Sequence, residues 1–400
     1  MNEQIREYIV EGIIYRIAQE QDAPLLQELL RHGAMDSWVQ IALEREPNYF
    51  DADNLMGESI TVIAHKAEDS SAVIGMYSYA LFRLFVMGVE ESVAYLGSLR
   101  VHPNYRHKIR FLKEGFHSIE KLIPNSTTLP FCITSIASEN HKARRLLESN
   151  TKGMPKYHFI AQMSTYAFAT NGGILPPYSN RLFGLRRVGA SHHNTQNITK
   201  SQQATKEDIP HIITFHNSLV KEYNFSPVLD TEWLENLDGS KALSIEDFYL
   251  LRDNNGDIEA MYALWDQRKI KQTVVKGYKP PLNKLRPLYN LYAKAFGHLT
   301  LPKEGTALEQ IYISFFVCKS SDTSRQLQLL KEASSHIKTR GASIAIIGLD
   351  SRHPLCDTIE HKLKAKRYQT NIDAVFLGED MWEDYQSEAE RGIRAEVGLL

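Results

Sequence analysis

Cysteine is scarce in this chain. Cys132, Cys318 and Cys356 are the three in 400 residues; they lie far apart, show no Cys-x-x-Cys spacing and make an odd number. The simplest reading is a cytosolic compartment with free thiols. Long apolar runs are missing too, since the longest, Tyr77 to Val89, is interrupted by Arg83 and is too short to span a bilayer. The opening MNEQIREYIVEG has no continuous apolar core, so no secretory signal is expected. Charge is nearly balanced at a net -2, which argues against non-specific binding of polyanions by the whole chain. What remains is an ordinary globular composition, 43% hydrophobic and 24% charged, long enough for two domains.

One stretch stands out from that background, AYLGSLRVHPNYRHKIRFLKEGFHSIEK from Ala94 to Lys121. Tyr95, Leu96, Leu99 and Val101 have the density of a largely buried strand, which His102-Pro103-Asn104 stops with a residue that cannot donate to a ladder. Leu112, Phe116, Ile119 and Ile123 then recur at helical spacing. A turn that opens straight into a helix leaves backbone N–H groups unpaired at the positive end of the dipole, which is a seat for a phosphate. Arg106, His107, Lys108 and Arg110 add positive charge there.

Upstream, Gly12 to Ile17 reads as a strand, and a helix follows with Asp22 as N-cap, Pro24 in its first turn and a leucine stripe ended by Gly33. Met35 to Met56 is irregular, and core packing is the preferred reading of its Trp38, Tyr49 and Phe50. Glu58 to Lys66 and Ala72 to Phe85 form a strand pair. After the central stretch, Pro130 to Ala137 is a strand, Asn140 opens a helix and Tyr157 to Ala169 closes a first unit near residue 170. Residues 171–199, with GG, PP and SHHNTQN, read as a connector in which His192 and His193 are exposed rather than metal ligands.

The pattern then restarts. Ala204, Asp208 and Pro210 repeat the spacing of Ala18, Asp22 and Pro24. A hairpin across DNNGD, a strand from Gln310 to Cys318, a helix from Ser324 to Lys338, a strand from Ala345 to Leu349, a helix from His353 to Lys364 and a strand from Ala374 to Leu377 follow in the same order. Between Gln267 and Lys303 every charged residue is basic. The preferred reading of this insertion is a solvated face with Leu288, Leu291 and Tyr292 packing inward; steering of an anionic ligand is the other.

The order V-x-P-x-Y-R-x-K before a helix, followed by Asn140, Ala143 and Leu146 in an Asn-x-x-Ala-x-x-Leu segment, resembles the GNAT superfamily of acyl-CoA-dependent N-acyltransferases. The resemblance implies an α/β fold of the α+β type: two GNAT-like domains, each a mixed, mostly antiparallel sheet flanked by helices. They would span 1–170 and 200–400, joined by the connector 171–199, with the second copy degenerate and carrying the basic insertion 267–303. Acetyl-CoA or another acyl-CoA is the implied co-substrate, with no metal. Leu99, Val101 and the loop of Arg106, His107, Lys108, Ile109, Arg110 and Phe111 would hold it, and Asn140 would meet its pantetheine arm. Ile109 and Phe111 stand where the family has glycines, and Leu147 where it often has a tyrosine. The position of the family's general base falls near Tyr95. In the second copy the corresponding KSSDTSR has no glycine, and Asp322 opposes a pyrophosphate, so a structural or substrate-shaping role is expected for it.

The leading expectation is an N-acyltransferase, in the simplest case an acetyltransferase, that delivers an acyl group to the primary amine of a small molecule or peptide. A catalytically silent tandem scaffold that binds acyl-CoA or a protein partner is the alternative. An aminoacyl-tRNA-dependent transferase is the weakest, because no nucleic-acid module is present and nucleic acid is not an expected partner.

Overall fold

The computed structural model describes residues 6–172 and 200–400, apart from residues 36, 54, 56, 107, 125–126, 150, 236, 238–241 and 387–389. Residues 173–199 of the expected connector, with His192 and His193, lie outside the described residues, as does His107. The first half runs β1 (Glu7–Val10), β2 (Ile13–Ile17), α1 (Ala23–Arg31), β3 (Val39–Glu44), β4 (Gly57–Lys66), β5 (Asp69–Val86), β6 (Val89–Val101), α2 (Ile109–Leu122), β7 (Cys132–Ala137), α3 (His141–Leu147) and β8 (Lys156–Ala169). The second begins with β9 (Gln202–Gln203), α4 (Ile209–Val220), β10 (Ser226–Pro227), α5 (Thr231–Glu235), β11 (Phe248–Arg252), β12 (Ile258–Trp265), β13 (Gln272–Tyr278) and α6 (Leu282–Phe296). It ends with β14 (Gln310–Cys318), α7 (Thr323–Thr339), β15 (Ile344–Asp350), α8 (Leu355–Lys362), β16 (Lys366–Phe376) and α9 (Trp382–Tyr385). Among the described residues no helix is long and apolar enough to cross a membrane.

The start of α1 shows how local sequence sets an element. Asp22 receives the backbone N–H of Gln19 at 2.8 Å and is gripped by two nitrogens of Arg16 at 2.7 and 2.8 Å. Pro24 sits in the first turn, and Leu26 and Leu30 carry the buried stripe. The device recurs before α4, where Thr205 N–H donates to Asp208 at 2.9 Å and Arg252 closes on the other oxygen.

Among the described residues, fourteen strands form one sheet in the order β1-β2-β4-β5-β6-β7-β16-β8-β15-β14-β12-β11-β9, with β10 on β5. The pairs β6–β7 and β14–β15 are parallel; the rest are antiparallel. At the centre the halves exchange ends: β16, the last strand of the chain, lies beside β7, while β8 lies beside β15. These two strands pair from Lys366 opposite Ala167 to Phe376 opposite Lys156. A separate two-stranded sheet of β3 and β13 ties the halves again.

The repeat extends to an irregularity. Ser98 and Leu99 of β6 both oppose Tyr77 of β5, and Phe315 and Phe316 of β14 both oppose Tyr262 of β12. Each is a β-bulge whose first residue has positive φ, 52° at Ser98 and 50° at Phe315. Around it, α2 and α3 cover the sheet with Leu112, Ile119 and Leu147, and α7 and α8 cover the second half with Leu330, Ile337 and Leu355. Tyr95 turns to the opposite face, with Val93, Met163 and Phe376.

Two expectations about packing are corrected. Leu288, Leu291 and Tyr292 of α6 face outward, 68%, 69% and 50% exposed, and Ala293 is the buried contact. The reason is that Arg286 and Asn290 hold the carbonyls of Pro302 and Leu301, at 2.9 and 2.8 Å, which commits the other side of the helix to the protein. Trp38 is likewise exposed, while Tyr49 is fully buried with its hydroxyl 3.1 Å from that of Thr61.

Removing the carboxylate of Asp22 leaves Arg16 uncompensated in a buried site, so Asp22→Ala should lose about 3–5 kcal/mol in urea unfolding. Asp208→Ala, at a more exposed copy of the motif, should lose about 1 kcal/mol. Equal losses would show that burial is not what separates the two sites.

Candidate functional site

Strands β6 and β7 run parallel for two residues, Tyr95 opposite Ile133 and Leu96 opposite Thr134. Beyond that point β6 follows β5 and β7 follows β16, so the sheet opens as a wedge. The bulge at Ser98 bends β6 away. Two bonds close the apex: the Thr134 hydroxyl donates to the Leu96 carbonyl at 2.7 Å, and the Tyr95 hydroxyl lies 2.7 Å from that of Ser135. The Tyr95 ring lies over Gly97, where a Cβ would come within 2.6 Å of it. Burial pushes the Tyr95 phenol up, outweighing Ser135 and Arg100, so it keeps its proton at neutral pH.

At the mouth, Leu99 is exposed and Val101 half-buried. Arg106 turns back so that Nε donates to the Val101 carbonyl at 2.9 Å, and its terminal nitrogens have no partner among the described residues. Lys108 lies 4.3 Å above the Tyr105 ring, and Arg110 pairs with Glu11 at 2.7 Å. Lys108 is the N-cap of α2 but offers no side-chain cap, so the N–H groups of Ile109, Arg110 and Phe111 have no partner within the helix. Phe111 does not cover them, because its ring is buried 5.9 Å from Tyr15 and 5.4 Å from Tyr105. Ile109 stands exposed at the rim. Asn140 ends the other wall and spends its side-chain oxygen capping α3, accepting from Ala143 N–H at 3.2 Å. The structure thus gathers Leu99, Val101, Arg106, Lys108 and the first turn of α2 at one end, with Tyr95 at the apex.

Arg100 was missed by sequence reasoning. Its Nε is buried against Gly33 with no hydrogen-bond partner, and Nη1 donates to the Leu99 carbonyl at 3.0 Å. Burial pushes its pKa down, and Tyr49, Arg106, Arg45 and Tyr95 are its electrostatic neighbours. An arginine inside the apolar run LGSLRV was the available signal.

The second wedge begins in the same way, with β14 and β15 parallel over Gln310–Tyr312 and Ile344–Ile346. It is filled. Ile393 N–H donates to Asp350 at 2.9 Å, Arg394 donates to the Phe316 carbonyl at 3.3 Å, and Val397 lies so close to Gly348 that a Cβ there would sit 2.8 Å away. Glu396 accepts the bulge N–H of Phe315 at 2.8 Å, and burial raises its pKa to about 7. The first turn of α7 is closed as well, since Asp322 accepts Ser324 N–H at 2.9 Å. Among the described residues the Ser98–Leu99 bulge receives no such carboxylate.

No family model matches the chain, and no curated protein does. Solved structures do. A Saccharomyces cerevisiae N-myristoyltransferase with bound myristoyl-CoA aligns with a TM-score of 0.57 at 10% identity, over 92% of this chain and 80% of that one. The same yeast enzyme with myristoyl-CoA and inhibitors gives 0.56 at 10% identity, over 92% and 81%. A third structure of it with myristoyl-CoA gives 0.54 at 10% identity, over 95% and 86%. The chain has a tandem GNAT fold. At such identity the likeness carries the fold and not the reaction.

Beside α3 of the first GNAT half, a cavity of about 450 Å³ opens over β8 and β16, walled in part by Arg144, Glu148, Gln162, Asn371 and Asp373. Asp373 is buried with one carboxyl oxygen unpaired, and burial, assisted by Glu148, raises its pKa to about 7. The folded state therefore binds more protons than the unfolded one between the ordinary carboxylate range and about 7, and stability falls as pH rises through that window. Asp373→Asn should match the parent in thermal unfolding near pH 4 and exceed it by several degrees near pH 8. A difference independent of pH would place the Asp373 carboxylate in water.

Proposed function

We propose that the chain is an acyl-CoA-dependent N-acyltransferase whose donor lies in the wedge of the first GNAT half. One observation carries the reading. In the second half the bulge N–H of Phe315 holds a carboxylate oxygen at 2.8 Å, and the equivalent bulge at Ser98–Leu99 of the first half receives none among the described residues. A strand N–H already shown to seat an oxygen in one copy is a suitable donor to a thioester carbonyl in the other. The uncapped first turn of α2, with Arg106 and Lys108, stands ready for phosphate, and α7, closed by Asp322, does not.

In the reaction the amine nitrogen attacks the thioester carbon, the bulge N–H groups stabilise the oxyanion, and the C–S bond breaks to release CoA. Tyr95 marks the general-base position but is protonated and paired with Ser135, so water takes the amine proton and relays a proton to the departing CoA thiolate. Acetyl-CoA is the simplest donor; the myristoyl-CoA of the structural neighbours adds a long-chain thioester to those worth testing. The acceptor is a small-molecule or peptide amine, and residues 1–170 and 200–400 are the two units. Protonation of Tyr95 and the exposed Ile109 are also what a silent acyl-CoA-binding scaffold would show; amine turnover by the purified chain separates the two readings.

Calorimetric titration with acetyl-CoA and myristoyl-CoA is the direct test. Arg106→Glu should weaken binding by roughly tenfold or more, since it replaces attraction by repulsion at the phosphates. Asp322→Asn should leave affinity unchanged. Loss of binding on changing Asp322 instead would move the donor to the second half.

The acceptor side gives a separate expectation. Arg100→Leu should raise KM for the amine acceptor by roughly tenfold with a smaller loss of acyl-CoA affinity, because Arg100 is buried with Tyr49 and Tyr95 while Arg106 of the donor loop is also its electrostatic neighbour. An equal loss of acyl-CoA affinity would assign Arg100 to the donor.

A further inference from the structure

We propose that α6 docks this protein on an anionic lipid surface. The helix lies in the insertion whose charged residues are all basic from Gln267 to Lys303. Its outward face carries Leu285, Leu288, Leu291 and Tyr292, between 50% and 69% exposed, at i, i+3, i+6 and i+7, which lie along one side of a helix. Lys284 stands within that apolar stripe and Lys294 at its edge, both exposed. At the C-terminal end Lys364 donates to the Phe296 carbonyl at 2.6 Å, and it lies with Lys366 close enough to His298 to help burial lower that imidazole's pKa.

An apolar stripe with one lysine inside it and another at its edge suits a helix lying in the headgroup boundary, with leucines in the acyl region and the long lysine side chains reaching back to phosphate. Tyr292, tilted against Phe296 at 4.9 Å and stacked on His298 at 5.3 Å, lies at the C-terminal end of the stripe, where an amphipathic ring meets headgroups. A second copy of the same face is opposed by charge, since two basic helices would meet with no acidic residue between them. An acidic peptide fits less well, because the face is the convex side of one helix and the leucines project outward. The inner side of α6 is already committed to Pro302 and Leu301, so docking needs no rearrangement. This inference does not rest on the acyltransferase reading.

The test is co-sedimentation of the full chain with phosphatidylcholine vesicles, with and without about 30% phosphatidylserine, at low and at physiological salt. The chain should bind the anionic vesicles preferentially and more weakly as salt rises. Leu288→Glu with Leu291→Glu should reduce binding at least about tenfold. Lys284→Gln and Lys294→Gln should each reduce it roughly fivefold. Val89→Glu, at an exposed apolar residue on another part of the molecule, should change nothing. These positions are on the surface, and circular dichroism checks that each variant is folded. The proposal is overturned if neither vesicle binds, if the double glutamate variant binds as well as the parent, or if that variant abolishes self-association or polyglutamate binding in a chain that ignores vesicles.

Discussion

The antiparallel pairing of β8 with β16 is the contact on which the rest of the structure depends. Each is the last long strand of its half, and each lies beside the other half's parallel strand, β16 against β7 and β8 against β15. Without the exchange, β7 would be held by a two-residue parallel pairing to β6, too little to fix a strand. With it, β7 gains an antiparallel partner from Cys132 to Ala137, and the wall of the wedge becomes rigid. The opening of the first wedge and the joining of the two halves are therefore one structural fact. The first half's wall is made from the last strand in the chain.

That dependence explains how two copies of one geometry serve different ends. Both halves bulge opposite a buried tyrosine, Tyr77 or Tyr262, and both then splay. In the second half the space is used for packing, with Val397 on Gly348 and the Glu396 carboxyl on the bulge amide. Burial of that carboxyl is costly, and its pKa near 7 registers the cost. A backbone N–H without a partner would also be costly, so the fold meets one need with the other. Among the described residues of the first half no carboxylate plays that part.

Much of this was legible in the sequence wherever an element depends on its near neighbours. The start of α1 at Asp22, its echo at Asp208, the central strand and the helix after it follow from short-range pattern, because turns, prolines and apolar spacing act within a few residues; the role of Asp22 differs from the expected cap, since its carboxylate makes no bond to α1 and instead accepts Gln19 N–H in the turn before it. The strand exchange was not legible, since alternation along Tyr157 to Ala169 reads the same whichever strand lies beside it. Nor was the orientation of α6: an amphipathic helix has two faces, and it took the bonds from Arg286 and Asn290 to Pro302 and Leu301 to decide between them. Ser98 gave no glycine to mark its positive φ, and Arg100 was hidden inside an apolar strand. Asn140 was on pattern, but its side chain serves the helix that it opens.

The glycine-poor loop shows how a departure from pattern can be absorbed elsewhere. Glycine in a phosphate loop removes a Cβ from the path of the ligand, so Phe111 at such a position would be expected to block it. Its ring instead enters the core between Tyr15 and Tyr105. The room there depends on Gly75 of β5, where a Cβ would stand 2.9 Å from the tip of the Phe111 ring. The missing atom has in effect moved from the loop to the strand beneath it. Because Phe111 is drawn inward, the first turn of α2 keeps its amides facing out, and the Tyr15 hydroxyl fixes that arrangement by donating to the Phe111 carbonyl at 3.0 Å. A loop without glycine can still present its backbone to an anion, provided that its bulk is buried on the side away from the ligand.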